Sequence, residues 1–283
     1  MGEVPVGDTV IADLPDECRT RPGTPMIGPY STNQMDDFYA ALARGEVKPT
    51  GVMNYIQHLL IAQRCLPGAN VVDACCGRGL QLPVLYRYAP HIAAYTGLDI
   101  AAVNLAEASA RIRALDGIYG PCPFRVRLLE CDVAAIWPDL PPADVIVYTS
   151  ALEHLPRDRA IDSLRHAARA LAQNGRLYLS TPSTAGDPPR PLQHRVHVYE
   201  WHHDELVPLL ASIGLAVKDT IGLLPPNSPA DIGNALATRY GPGATALYER
   251  IHACLPPEFT DVVACAGASD VATEVLYICA RED

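Results

Sequence analysis

Between Val71 and Ser180 short apolar runs alternate with segments of helical period, and that alternation restricts the fold more than any other feature of the chain. Residues 71–72, 93–98, 124–129, 145–148 and 176–180 read as strands, since short apolar runs bounded by turn residues suit strands buried on both faces. Helices are expected over 80–88, 101–115 and 157–172. In the second, Val103, Ala106, Ala110, Ile112 and Leu115 supply an apolar face. In the third, Ile161, Leu164, Ala168 and Leu171 do so, and Asn174-Gly175 ends it. Strands joined by helices of this length imply right-handed crossovers and a mostly parallel sheet with helices on both faces. Such sheets bind ligands beyond the carboxyl ends of their strands. The residues just after each strand are therefore the candidates for function.

The flanks are less regular. Residues 1–30 are rich in Pro and Gly and read as a loosely structured arm. Ser31 with Gln34 has the spacing of a capping box, and Met35, Phe38, Tyr39 and Leu42 follow at helical spacing. A further helix is expected over 51–65, stopping before Pro67-Gly68. Residues 1–66 thus form an arm and helical cover, and 67–283 the main domain. After Ser180 a Pro-rich loop leads to "HRVHVYEWHHDEL", a helix over 203–212 and a strand over 215–223. Residues 225–260 read as an irregular to helical insertion before a last strand over 271–279.

The strand ends carry a pattern. "VVDACCGRG" takes the first strand into Asp73, then Cys75-Cys76, then Gly77 and Gly79. Glycines there let a ligand approach the backbone, with the unpaired N–H groups of a helix N-terminus behind it. No glycine stands three residues after Gly79, which argues against a nicotinamide dinucleotide site. The next strand ends "YTGLDIA" at Asp99, the third "LLECDVA" before Asp132, and the fourth "DVIVYTSALEHLP" before Glu153-His154. "LAQNGRLYLSTPS" follows.

These motifs, in this order, resemble the class I S-adenosylmethionine-dependent methyltransferases, of the type that act on small molecules. The resemblance covers about residues 50–223, and the last strand fits as well. It implies a Rossmann-like fold with a mostly parallel seven-stranded sheet, and S-adenosylmethionine as cofactor. It implies that Asp73, Cys75, Gly77 and Gly79 form the cofactor turn, with Cys75 standing where the family has its first glycine. Asp99 and Ile100 would meet the ribose side, Asp132 and Val133 the adenine, and Ser150 the cofactor after the fourth strand. An acid at one strand end is commonly a solvated residue. Three acids at three successive strand ends are harder to dismiss, and carboxylates suit a diol and an exocyclic amine.

Methyl transfer needs alignment, and an acceptor that must lose a proton also gains from a base. His154 and His197 are the catalytic candidates. Tyr30, Tyr39, Glu153, Tyr199 and Trp201 are candidates for substrate contact. If 197–201 is extended, His197, Tyr199 and Trp201 share one side, with His194 and Glu200 on the other. His202-His203-Asp204 suits a helix cap and first turn, where an acid complements the dipole. Adjacent thiols chelate poorly, so Cys75-Cys76 reads as packing, and no metal is expected.

Composition narrows the partners. The formal net charge of −10, with no basic run, argues against nucleic acid and anionic membranes. No stretch approaches the roughly 18 apolar residues of a membrane span, and no signal peptide is visible. Nine cysteines without a Cys-x-x-Cys pair suit reduced thiols in the cytoplasm. The expectation is a cytoplasmic enzyme that methylates oxygen or nitrogen of a small molecule, in bacterial natural-product biosynthesis. The acceptor and the oligomeric state stay open, a homodimer being one option. An RNA or protein methyltransferase, or a cofactor-binding regulator without activity, are the alternatives.

Overall fold

The computed structural model describes residues 45, 46 and 48–282. The expectations for residues 1–42, including Tyr30 and Tyr39, lie outside these residues. Helix α1 (Pro49–Gln63) starts on a proline, whose fixed φ and missing N–H suit a first helical turn. Then follow β1 (Asn70–Ala74), α2 (Leu82–Tyr88), β2 (Ala94–Asp99), α3 (Ala102–Tyr119), β3 (Arg125–Glu130) and β4 (Ala143–Thr149). A 3₁₀ turn (Leu152–His154) precedes α4 (Arg157–Ala170) and β5 (Leu171–Pro182). The chain closes with α5 (His203–Ser212), β6 (Leu215–Leu224), α6 (Pro229–Tyr240), α7 (Pro242–His252), α8 (Pro257–Cys265) and β7 (Glu274–Arg281).

The seven strands form one sheet in the order β3-β2-β1-β4-β5-β7-β6. β1 to β5 pair in parallel, while β7 runs antiparallel between β5 and β6. This is the Rossmann-like, mostly parallel sheet implied by the motifs. Period-two alternation divides the strand residues between two cores. Val72 and Ala74 pack with Leu164 and Ala167 of α4 and Leu206 and Leu210 of α5. Val71 packs with Ile61 of α1, Leu82 and Leu85 of α2, and Leu105 and Ala108 of α3. Helices α6 to α8 fill the expected insertion and share a small core of Ile232, Ala235, Leu236, Tyr248 and Ala268. Among the described residues no helix is long and apolar enough to cross a membrane.

Two sequence expectations differ from the structure. On α3, Val103, Ala106 and Ala110 are exposed, and the buried face is Asn104, Leu105, Ala108, Ser109, Ile112 and Leu115. Alanines on both sides of this helix leave little apolar contrast. The polar tether from Asn104 to Asp99 turns the other face inward. α4 stops at Ala170, and Asn174-Gly175 lies within β5 where its pairing to β4 jumps from Ala143↔Leu171 to Val145↔Arg176. The turn residues mark a bulge, not a helix end.

Candidate active site

β1 delivers Asp73 to the carboxyl edge of the sheet, and the chain then turns sharply. Cys75, Gly77 and Gly79 have φ of 59°, 53° and 72°. A Cβ on Gly79 would meet Leu82 Cδ1 at 2.6 Å and Ala108 Cβ at 3.1 Å, so the turn packs against α2 and α3 only as glycine. Cys75 holds the left-handed conformation that a glycine would adopt freely, at a cost of roughly 1–2 kcal/mol. Ser150, just past β4, does the same with φ of 48°. Backbone strain of this kind persists where surrounding structure enforces it, and it clusters at ligand sites. The two thiols divide between the sheet faces, Cys75 packing on one core and Cys76 within the other. Burial pushes both thiols well above their ordinary pKa, which suits packing and not redox chemistry.

The next two strand ends carry their acids in different environments. Asp99 is buried and accepts from Gly77 N–H at 2.9 Å, Ala101 N–H at 2.8 Å and Asn104 Nδ2 at 3.1 Å. Burial raises its pKa, while these donors pull it back. The Gly77 bond ties the β1 turn to the β2 tip. Asp73 accepts from Tyr95 Oη at 2.7 Å, and burial drives its pKa up to about 7, with the Asp99 charge adding to the rise. Ile100 is exposed beside Asp99. Asp132 accepts from Ala134 N–H at 3.0 Å and pairs with Arg159 of α4. Val133 beside it is buried, its carbonyl taken by Trp137 Nε1 at 2.8 Å.

Beyond β4 and β5 lies a second cluster of carboxylates and imidazoles. Glu153, on the 3₁₀ turn, is buried and accepts from Thr181 Oγ1 at 3.1 Å. Its carbonyl takes the N–H groups of Val198 at 2.7 Å and Tyr199 at 3.2 Å, fastening the loop after β5. Glu274, first residue of the antiparallel β7, accepts from Ser150 Oγ at 2.9 Å. Burial pushes Glu153 and Glu274 above the usual carboxylate range, with the Glu274 and Glu200 charges adding to the rise at Glu153 and the Glu200 charge to that at Glu274. His154 sets Nδ1 3.2 Å from the Val196 carbonyl, and burial lowers its pKa to about 4. His154 and His197 meet edge to face, their rings 5.2 Å apart.

The segment 193–201 is not extended. A turn carries His197 N–H to the His194 carbonyl, and His197 Nδ1 comes to 2.5 Å from Glu200 Oε1. His197 and Glu200 therefore meet instead of facing apart. Glu200 also accepts from Gln193 N–H at 2.6 Å and from Thr184. Tyr199 and Trp201 do share a side, with rings 4.9 Å apart. Trp201 is fully buried in the core, however, and Tyr199 Oη donates to Glu205 of α5 at 2.7 Å. Both support the loop from beneath. Arg190 completes that support, donating to Glu205 at 2.8 Å and to the Glu200 carbonyl at 3.0 Å. His202 caps α5 through Asp204 N–H, as its place before an apolar helix suggests. Sequence reasoning did not single out Arg159, Thr181, Arg190 or Glu274, and it set Glu200 on the wrong side. Only Glu274, an acid opening an apolar run, offered a signal.

Comparison with known proteins agrees with this architecture. The family model described as methyltransferase domain matches residues 52–217. The ubiquinone biosynthesis O-methyltransferase of Xanthomonas campestris pv. campestris (strain B100) is 32% identical over 154 residues, covering 51% of this chain and 59% of that protein. The protein of the same description from Xylella fastidiosa (strain 9a5c) is 30% identical over 160 residues, covering 54% and 60%. The match thus spans about three-fifths of these curated relatives. Among solved structures, an O-methyltransferase from a trans-AT PKS multienzyme of Brevibacillus brevis, in complex with S-adenosyl-L-homocysteine, aligns with TM-score 0.54 at 18% identity, covering 96% of this chain and 85% of that one. The 1,6-didemethyltoxoflavin-N1-methyltransferase of Burkholderia thailandensis gives 0.52 at 16% identity, covering 88% of each chain. The cyclase SpnF gives 0.54 at 14%, covering 82% of each. These structural likenesses concern the fold alone. With the family model spanning more than half its length, the chain belongs to the methyltransferase-domain family.

Proposed function

We propose that this enzyme transfers a methyl group from S-adenosylmethionine to an oxygen or nitrogen of a small molecule. The observation that carries the reading is Asp99. Its carboxylate is fixed by three N–H donors, one of them from the glycine turn. It stands near Asp73, which accepts from Tyr95 and has no basic partner among the described residues. A buried acidic pair fits a cationic ligand with a diol, since burying negative charge favours a positive partner. On this reading Asp99 accepts from the ribose hydroxyls, with Ile100 at its edge. Asp132 and Val133 face the adenine, and the ion pair with Arg159 orients the Asp132 carboxylate. Asp73, Cys75, Gly77, Gly79 and Ser150 surround the amino-acid end. When bound, the cofactor supplies an activated methyl group on a sulfonium.

The chain's own residues then align the acceptor and exclude water. Glu153, His154 and His197 line the acceptor end and activate the acceptor atom that loses its proton. Tyr199 and Trp201 act as supports of that loop. Residues 1–66 are the cover, with Tyr30 and Tyr39 as acceptor contacts. The relatives named as O-methyltransferases and the neighbour named as an N1-methyltransferase support oxygen or nitrogen as the target. The mitomycin 7-O-methyltransferase MmcR, at 18% identity and TM-score 0.51, supports a natural-product acceptor. The net charge of −10 disfavours RNA. The test is transfer of labelled methyl from S-adenosylmethionine to a panel of phenols, hydroxy acids and heteroaromatic amines. Turnover of at least one is expected. Binding of the cofactor without transfer to any acceptor, as a regulator would show, contradicts the reading.

A further inference from the structure

We propose that Glu153, His154 and His197 hold a divalent transition-metal ion at the acceptor end of the site. Each offers one ligand atom, and these atoms lie within 4.8 Å of one another. Ligands about 2.0–2.1 Å from a tetrahedral ion stand about 3.4 Å apart, so closure asks for side-chain shifts of about an ångström. The ligands come from two segments, the turn after β4 and the loop after β5. The bonds from the Glu153 carbonyl to Val198 and Tyr199 N–H lock these together.

The surroundings are those of a ligand set. A metal-bound imidazole usually gives its other nitrogen to a carboxylate or a carbonyl, which fixes the tautomer and aims the lone pair. His197 Nδ1 stands against Glu200 Oε1, and Glu200 is itself pinned by Gln193 N–H and Thr184. His154 Nδ1 stands against the Val196 carbonyl, and Thr181 Oγ1 donates to Glu153. Charge points the same way. Glu153, Glu200 and Glu274 are all buried, and among the described residues no lysine or arginine side chain pairs with their carboxylates. A bound cation neutralises such a group. Two imidazoles and one carboxylate favour the ions from manganese to zinc over magnesium or calcium.

The role of the ion rests on the proposed methyl transfer. Three protein ligands leave positions open for an acceptor hydroxyl, whose pKa the ion lowers. The hydroxyl proton leaves to solvent and the oxygen stays on the ion. A lone pair of that oxygen forms the new C–O bond as the methyl–sulfur bond breaks. That bond's electron pair passes to sulfur, which becomes a neutral thioether.

The test uses the full chain without an affinity tag, stripped with a chelator and titrated with Co²⁺. Binding is followed by visible absorption and equilibrium dialysis, and S-adenosylhomocysteine binding is measured on the same samples. One ion per chain is expected. His197→Gln and Glu153→Gln should each weaken it at least tenfold, and Glu200→Gln about tenfold or more through the imidazole it orients. His197 lies on a loop, so its variant keeps the test valid if Glu153→Gln fails to fold. Absence of saturable one-site binding, or equal affinity in the His197 variant, overturns the metal site. Failure of the wild-type chain to bind S-adenosylhomocysteine would instead remove the methyl-transfer reading.

Discussion

Asp73 illustrates how one side chain can hold function and stability in tension. Its folded pKa, driven to about 7 by burial, lies above the unfolded value near 3.8. The folded chain therefore binds the proton more tightly. Its favourable contribution is full below the unfolded pKa and is lost as pH rises through about 7. Asp73→Asn removes that dependence while keeping an acceptor for Tyr95. The melting temperature of the apo wild type, relative to this variant, should fall between pH 5 and pH 8. A constant gap across that range would mean that Asp73 does not titrate there. The strand-end acids Asp73, Asp99 and Asp132 were legible because each lies at or within a few residues of the end of an apolar run. Glu274 stood in view as an acid opening an apolar run, but its place in the site was hidden, because its bond to Ser150 joins residues 124 positions apart. Arg159 was hidden on an apparently solvated helix face, and only the fold brings it to Asp132.

At the scale of elements, periodicity located the strands and helices α1 to α5 and left α6 to α8 as an irregular to helical stretch, but contrast decided which face was inward. α4 has charged and apolar sides, so Leu164 and Ala168 were read correctly. α3 has alanines on both, and its face was misjudged. The loop after β5 could not be derived from period-two reasoning, because a turn at 193–196 brings His197 onto Glu200. Arg190 organises that loop, its side chain almost fully enclosed while bonded to Gly186, Glu200 and Glu205. Arg190→Ala should speed tryptic cleavage after the exposed Arg195 severalfold, read by timed digestion. An unchanged cleavage rate would show that the loop is held by its other bonds. A different constraint joins the inserted helices to the sheet. A Cβ on Gly222 of β6 would fall on the Cys265 carbonyl of α8. Gly222→Ala should cost about 1–3 kcal/mol, as overpacking does. At about 2–4 °C per kcal/mol for a domain near this size, a calorimetric scan resolves it. A melting temperature equal to wild type would show that α8 can move away freely.

For the whole molecule, the sheet order explains why one edge gathers so much chemistry. Parallel strands β1 to β5 all end on that edge, and the antiparallel β7 begins there, with Glu274 across from Pro182. β6 ends there too, with Leu224 opposite Glu274, so six strand ends and one strand start converge, three acids on the β1–β3 side and the imidazole cluster beyond β4 and β5. The first half of that site follows the motifs of the sequence. The second half depends on tertiary contacts, and sequence supplied its residue types but not their pairing. Asp99 stands at the centre of the account, because it links the β1 turn, the β2 tip and α3 through Gly77, Ala101 and Asn104. Calorimetric titration of the wild type and Asp99→Ala with S-adenosylhomocysteine tests it most directly. One site per chain and a dissociation constant raised about tenfold or more in the variant are predicted, on the scale of a lost charged hydrogen bond. Equal affinity in a folded variant, or no heat of binding from the wild type, would contradict it.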